Sequence, residues 1–292
     1  MERSELLSFE ELDRVAQIFA SLGVTKIRLT GGEPLMRKDL HLLVRRLAHI
    51  PGITDIALTT NGFFLAEQAK DLVDAGLKRI NVSLDSLDPV KFKEMVRRDH
   101  FDQVWKGIEE VERLGIRPIK LNVVVIRGMN DDEIPKFAEL VRTRPFVVRF
   151  IEFMPIGFDD GWSMEKVVPS REIIERMEAA IGQRLVPFEL SVTQAADRYK
   201  FEDGLGEVGF ISSVSEPFCE SCNRVRITSD GNFRTCLFSL HETNLKQLLR
   251  SGADNEMIRQ TIIDAVRKKE EGHLINRPEF VRPERSMSQI GG

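Results

Sequence analysis

The chain has 292 residues, 42% of them hydrophobic, with 42 Lys and Arg against 46 Asp and Glu and a net charge of -4. That is ample material for a buried core, and it leaves no global field to draw the molecule to nucleic acid or a membrane surface. No apolar run approaches the ~20 residues of a membrane span, and the opening MERSELLSFEELDR lacks the apolar centre of a signal peptide, so a cytoplasmic protein is expected.

One phrase recurs through the first half: LGVTKIRL at 22–29, PGITDIAL at 51–58, AGLKRINV at 75–82 and LGIRPIKL at 114–121. Its glycine suits the left-handed position just past a helix, and the alternating run that follows suits a strand. FEELDRVAQIFASLG has helical period, and Ser8 with Glu11 has the spacing of a capping box. A fifth strand at 147–154 follows the helical DDEIPKFAELVRT. Strands alternating with helices predict a parallel sheet, either open or closed into a barrel.

Polarity chooses between the two. A central strand of an open parallel sheet is covered on both faces and reads as almost wholly apolar. Here Lys26, Arg28 and Thr30 alternate with Ile27 and Leu29, Asn81 and Ser83 with Ile80, Val82 and Leu84, and Lys120 and Asn122 with Leu121 and Val123. With period two the polar members share one face, which favours a full or partial barrel with a polar lumen.

After residue 155 the pattern changes. A helix over SREIIERMEAAIG, β-like RYKFEDG and EVGFISSVS, and a hairpin RVRITSDGNFRTCLF turning at SDG predict an appended α+β region that carries all three cysteines. The last segment, RKKEEGHLINRPEFVRPERSMSQIGG, is basic and reads as a tail without its own core. The expected divisions are 1–155 for the partial barrel, 156–266 for the cysteine-bearing region and 267–292 for the tail.

Lys26, Arg28, Lys120 and Arg149 would project into the lumen together. Four cations in one cavity repel unless an anion sits among them or acids such as Glu33, Asp85 or Glu152 pair with some of them. Because Lys and Arg are rarely buried without partners, a phosphorylated ligand is expected. TGGEP at 30–34 could bring backbone close to a ligand, although most strand-end glycines merely turn the chain. Cys219 and Cys222, two residues apart, can bite one metal or cluster, and Cys236 closes the pocket after a hairpin. His241 could complete a Cys3His zinc site. Against zinc, Arg224 and Arg226 lie at strand spacing just after the second cysteine, which suits a substrate anion beside an open coordination position.

The ordered series LLSFEEL, GVTKIRLTGGEPLMRKDL, LTTNG, INVSLDSL, RFIEFMP, FCESCNRVRITSDGNFRTCLF and the terminal Gly-Gly resembles the radical S-adenosylmethionine (SAM) GTP 3′,8-cyclase family of molybdenum-cofactor biosynthesis over essentially the whole chain. The resemblance implies an α/β fold: an incomplete parallel (β/α) barrel of the radical SAM type with a C-terminal α+β iron-sulfur region. It implies a lyase that converts GTP, with SAM and a reductant, to 3′,8-cyclo-7,8-dihydro-GTP. A 4Fe-4S cluster would sit on Cys219, Cys222 and Cys236, with its open iron facing the guanine. GTP contacts fall on Arg28, Thr59, Lys120, Arg224, Val225 and Arg226, with Lys26 and Arg149 as helpers. SAM contacts fall on Gly31, Gly32 and Glu33 of the TGGEP loop, on Ser83 and on Met154. The terminal Gly291 and Gly292, needed for turnover in the family, would reach toward the active site.

The resemblance further implies a cyclic pyranopterin monophosphate synthase downstream and a possible homodimer, with no nucleic-acid or membrane partner. The family also holds the SAM-reducing 4Fe-4S cluster on an N-terminal CxxxCxxC, which this sequence lacks. The chain opens at the point just after that motif, so a shortened start, with initiation lying outside the chain, is expected. The alternative from another class is a non-catalytic nucleotide- or zinc-binding protein derived from the same barrel.

Overall fold

Helix and strand alternate through the first half as the repeated phrase implies, in a computed structural model that describes residues 3–157, 161–189 and 195–291. The order is α1 (Phe9–Ser21), β1 (Lys26–Leu29), α2 (Leu40–Ala48), β2 (Asp55–Thr60), α3 (Leu65–Asp74), β3 (Arg79–Ser83), α4 (Pro89–Val96), α5 (Phe101–Arg113), β4 (Ile119–Val125), α6 (Ile134–Thr143) and β5 (Phe146–Glu152). The expected capping box opens α1: Ser8 Oγ accepts from the Glu11 N–H at 3.1 Å, and the Glu11 carboxylate accepts from the Ser8 N–H at 2.7 Å. The glycine of each repeat takes a positive φ, +91° at Gly23, +93° at Gly52, +108° at Gly76 and +80° at Gly115. Gly23, Gly76 and Gly115 end their helices in the left-handed conformation that glycine reaches without strain, and Gly52 serves the turn that follows α2.

Strands β1 to β5 pair in parallel and in sequence order. Beyond them come α7 (Ser170–Ile181), β6 (Leu185–Glu189), β7 (Asp197–Phe201) and β8 (Glu207–Ile211). β8 lies parallel on β5, with Arg149 opposite Gly209 and Phe150 opposite Phe210, while β7 and β6 add antiparallel strands outside it. The sheet order is β1-β2-β3-β4-β5-β8-β7-β6, so one sheet runs across residue 155. A pairing between segments about 60 residues apart leaves no local trace in the sequence. The sheet also curls. Arg28 on β1 and Arg149 on β5 would be about 19 Å apart in a flat sheet, yet the charge of Arg28 is felt at Arg149. This is an incomplete (β/α) barrel, open between β1 and β6.

The face away from the lumen makes the main core. Leu58, Ile80, Val82, Leu121 and Val148 are fully buried there beneath Leu43, Leu65, Leu72, Ile108 and Phe137 of the helices. Each such side chain contributes roughly 1.5–3 kcal/mol.

The chain then forms the expected hairpin, β9 (Arg226–Ile227) and β10 (Asn232–Arg234), joined by β11 (Thr243–Asn244), α8 (Leu245–Arg250), α9 (Asn255–Arg267) and α10 (Met287–Ile290). Gly231 turns it at φ +84°, where a Cβ would lie 2.6 Å from Lys246 Cβ. Phe233, Leu245, Leu249, Ile258 and Ile262 pack on Leu7, Val15, Ile18 and Phe19, which seats the hairpin against α1. The last segment, read as a tail without its own core, packs onto the rest of the chain. Ile275 and Ile290 are buried in a third cluster with Ile156, Val167, Val214 and Phe238, and Phe280 and Met287 pack against it. Its apolar residues are too sparse for any period to show, because their partners come from elsewhere in the chain. Among the described residues no helix is long and apolar enough to cross a membrane.

Candidate active site

The strand register collects the lumen. Arg28 is level with Ala57 and, across β2, with Arg79; Thr59, Asn81, Lys120 and Val147 make the next level; Ser83, Asn122, Arg149 and Gly209 the one above. Lys26, at the base of β1 level with Asp55, is exposed. Arg149 is 9% exposed and donates through Nη2 to Asn81 Oδ1, while its Nε has no partner. Asn81 is held in turn, its Nδ2 donating to the Leu58 carbonyl at 3.0 Å and to Thr59 Oγ1 at 3.1 Å. Burial, then the charges of Arg28 and Arg79, lower the Arg149 guanidinium to about 9. Burial, then Arg149 and Arg79, lower the Lys120 ammonium to about 8. Arg28 is exposed at the surface, and desolvation by the surrounding wall, then Arg79 and Arg224, push it down.

Pairing with Glu33, Asp85 or Glu152 does not relieve these cations. Glu33 accepts from the Leu35 N–H at 2.9 Å, Thr60 Oγ1 at 2.7 Å and the Asn61 N–H at 2.7 Å, tying the TGGEP loop to the end of β2. Asp85 accepts from the Val124 N–H at 2.8 Å, and burial pushes its carboxyl up to about 6. Glu152 accepts from the N–H groups of Val214 and Ser215, each at 2.8 Å. The lumen acids that do pair are others: Asp55 with Arg79 and Glu207 with Arg198. Lys120 and Arg149 make no ion pair among the described residues, so the cavity keeps an excess of positive charge.

Arg79 is a lumen cation that the sequence reading passed over, although its period-two relation to Asn81 and Ser83 was visible. Gly31, at φ +150°, and Gly32 shape the loop above β1, Ser83 ends β3, and Met154 is half-buried against the third cluster. The C-terminal segment closes over this end. A Cβ on Gly32 would lie 3.6 Å from the Ser288 carbonyl, and one on Gly291 would lie 3.0 Å from Thr30 Cγ2. Gly292 lies outside the described residues.

The hairpin meets the lumen through its own cations. Arg226 donates through Nη1 to the Gly291 carbonyl at 2.5 Å, and burial with Arg224 and Arg28 lowers it to about 10. Arg224 lies 4.8 Å over the Phe218 ring, and Val225 packs against the cluster on α1. Cys219, Cys222 and Cys236 are free and half-buried. Burial pushes the Cys236 thiol up, helped by Glu270, Cys219 and Cys222. Burial also raises Cys222, but the backbone and guanidinium of Arg224 and the charge of Lys269 outweigh it, leaving that thiol lowered.

Among the described residues no three His, Cys, Asp or Glu side chains are gathered closely enough to hold a metal ion.

Residues 1–141 match the family model of the Radical SAM superfamily, and residues 146–275 match that of Molybdenum Cofactor Synthesis C. The chain is 47% identical over 288 residues to the GTP 3′,8-cyclase of Thermodesulfovibrio yellowstonii, covering 99% of this chain and 88% of that one. It is 44% identical to the GTP 3′,8-cyclase of Pelotomaculum thermopropionicum, covering 100% and 89%. It is 42% identical to the mitochondrial GTP 3′,8-cyclase of Arabidopsis thaliana, covering 99% and 74%.

Proposed function

The chain belongs to the radical SAM GTP 3′,8-cyclase family, and we propose that GTP spans its lumen, triphosphate on Lys120, Arg149, Arg28 and Lys26, guanine beside Arg224, Val225 and Arg226. The family's reaction, of the lyase class, is the first step of molybdenum-cofactor biosynthesis and yields 3′,8-cyclo-7,8-dihydro-GTP. When bound, SAM and iron-sulfur clusters supply the radical that removes the ribose 3′ hydrogen so that C3′ can bond to guanine C8.

The single observation that supports this placement is the excess of cations along one face, Lys120 and Arg149 without an ion pair among the described residues and Arg226 held at the Gly291 carbonyl beyond them. One extended polyanion with an aromatic base relieves both groups at once. Asn81 aims the Arg149 guanidinium, Thr59 offers its hydroxyl at the same level, and the fork geometry of arginine suits phosphate oxygens. Gly31, Gly32, Ser83 and Met154 would hold SAM, with Glu33 fixing the loop that carries the glycines. Cys219, Cys222 and Cys236 would hold the 4Fe-4S cluster, and Gly291 with Gly292 would close the site.

In this reading 1–155 supplies the SAM and triphosphate contacts, 156–266 the cluster, and 267–292 the closing tail. The proposal extends to a cytoplasmic protein, a homodimer, and transfer of the product to a cyclic pyranopterin monophosphate synthase.

Calorimetric titration of the anaerobically reconstituted chain with GTP tests the placement. Replacing Lys120 by Met removes a charged contact of about 1.5–3 kcal/mol, so affinity is expected to fall about 10- to 100-fold. Equal affinities would remove the triphosphate from the lumen.

A further inference from the structure

The segment Lys269–Gly272, just past α9, touches the neighbourhood of all three cysteines. Helix α9 is anchored by Ile258 and Ile262 in the cluster on α1, and its end is closed by the N–H groups of Lys268 and Lys269 donating to the Ala265 and Val266 carbonyls. The chain therefore leaves the helix along a fixed line past the cysteine loop. Lys269 Nζ donates to the Cys222 carbonyl at 2.8 Å and the Arg224 carbonyl at 3.1 Å, and stands 3.9 Å from Cys222 Sγ. Glu270 accepts from Thr235 Oγ1 at 3.0 Å and from Ser239 Oγ, the residues that bracket Cys236. At Gly272 a Cβ would lie 3.1 Å from Cys219 Cβ and 3.3 Å from its Sγ, tighter than ordinary contact.

We propose that Lys269, Glu270 and Gly272 form a positioning strap for the three-thiolate site, each fixing the loop of a different cysteine, with the Lys269 ammonium also setting the charge beside the Cys222 sulfur. Groups behind metal ligands orient them and tune the bound centre. Lys269 does more than hold backbone. By gripping the carbonyls of both Cys222 and Arg224 it fixes the distance between a sulfur ligand and a guanine-side cation.

The inference rests on the cluster reading of the cysteines, and its test separates the two. The full chain is reconstituted anaerobically with ferrous iron and sulfide, then challenged with a chelator. Lys269→Met and Glu270→Gln are expected to lose the cluster about ten times faster than wild type, and Lys269→Arg to restore retention. Lys269→Met is also expected to lower the midpoint potential, because a cation beside a sulfur stabilises the more negative reduced cluster. A purely structural prop would not move that potential. Where Lys269→Met does not fold, Glu270→Gln, which keeps its shape and an acceptor, still reads the loss rate, and Lys269→Arg the potential. A loaded wild type beside variants of unchanged loss rate and potential overturns the strap and leaves the cluster standing. A wild type that takes up no iron and sulfide overturns both.

Discussion

The barrel lumen and the cysteine hairpin both gather cations, but they hold them by different means. In the lumen Arg28, Lys120 and Arg149 stand on strands whose positions are set by the parallel ladder, with the cores of β2 to β5 packed behind them. In the hairpin Arg226 opens a short β9 and Arg224 lies just before it, in a segment held from distant places: Ser229 by the Leu7 N–H, Arg226 by Gly291, Asp230 by Arg285 and Cys222 by Lys269. Truncating a lumen side chain therefore removes a contact and leaves the frame, whereas cutting a hairpin support moves the frame itself.

The sharpest way to break that contrast is Cys236→Ser. Iron and sulfide are expected to fall from about four of each per chain to near none, while the lumen cations still bind inorganic triphosphate. Full iron content in the variant would remove Cys236 from the cluster. Next comes Lys120→Met, expected to weaken GTP 10- to 100-fold with iron content unchanged; a parallel loss of iron would show that the two regions are not separable.

The third effect is a pH dependence. Burial holds the Lys120 ammonium at about 8, and a bound triphosphate raises it, so binding takes up a proton. GTP affinity is expected to be level below pH 8 and to fall as pH rises through it, with Arg149, at about 9, extending the fall. Lys120→Met removes the first part, which titrations at pH 7, 8 and 9 would show.

The smallest effect belongs to Asp85. Its folded carboxyl keeps a proton up to about 6, so stability is expected to fall as pH rises from the ordinary carboxylate range through 6 and to stay level above. Asp85→Asn keeps an acceptor for the Val124 N–H without the buried charge, and a Tm about 2–4 °C higher at pH 7.5 is expected from thermal melts. An unchanged Tm would mean that water already reaches the carboxylate.

Much of the lumen was legible because β-strand period is local: Lys26, Arg28, Lys120 and Arg149 declare their face by what alternates with them. The glycine of each repeat was legible for the same reason. β8 was not, since its pairing with β5 depends on a partner about 60 residues away, and neither was the buried tail, whose Ile275 and Ile290 carry no period. The alternative in which Glu33, Asp85 or Glu152 pairs with the cations is not what forms, because these carboxylates accept from backbone N–H groups instead. Lys269 and Glu270 lie in the basic segment that reads as a tail without its own core.

The two regions are claimed to meet on one nucleotide. Electron-nuclear double resonance of the reduced cluster, with GTP carrying ¹⁵N in its guanine, tests that claim most directly: a hyperfine coupling from guanine nitrogen is expected, and its absence with GTP bound at saturation would contradict it.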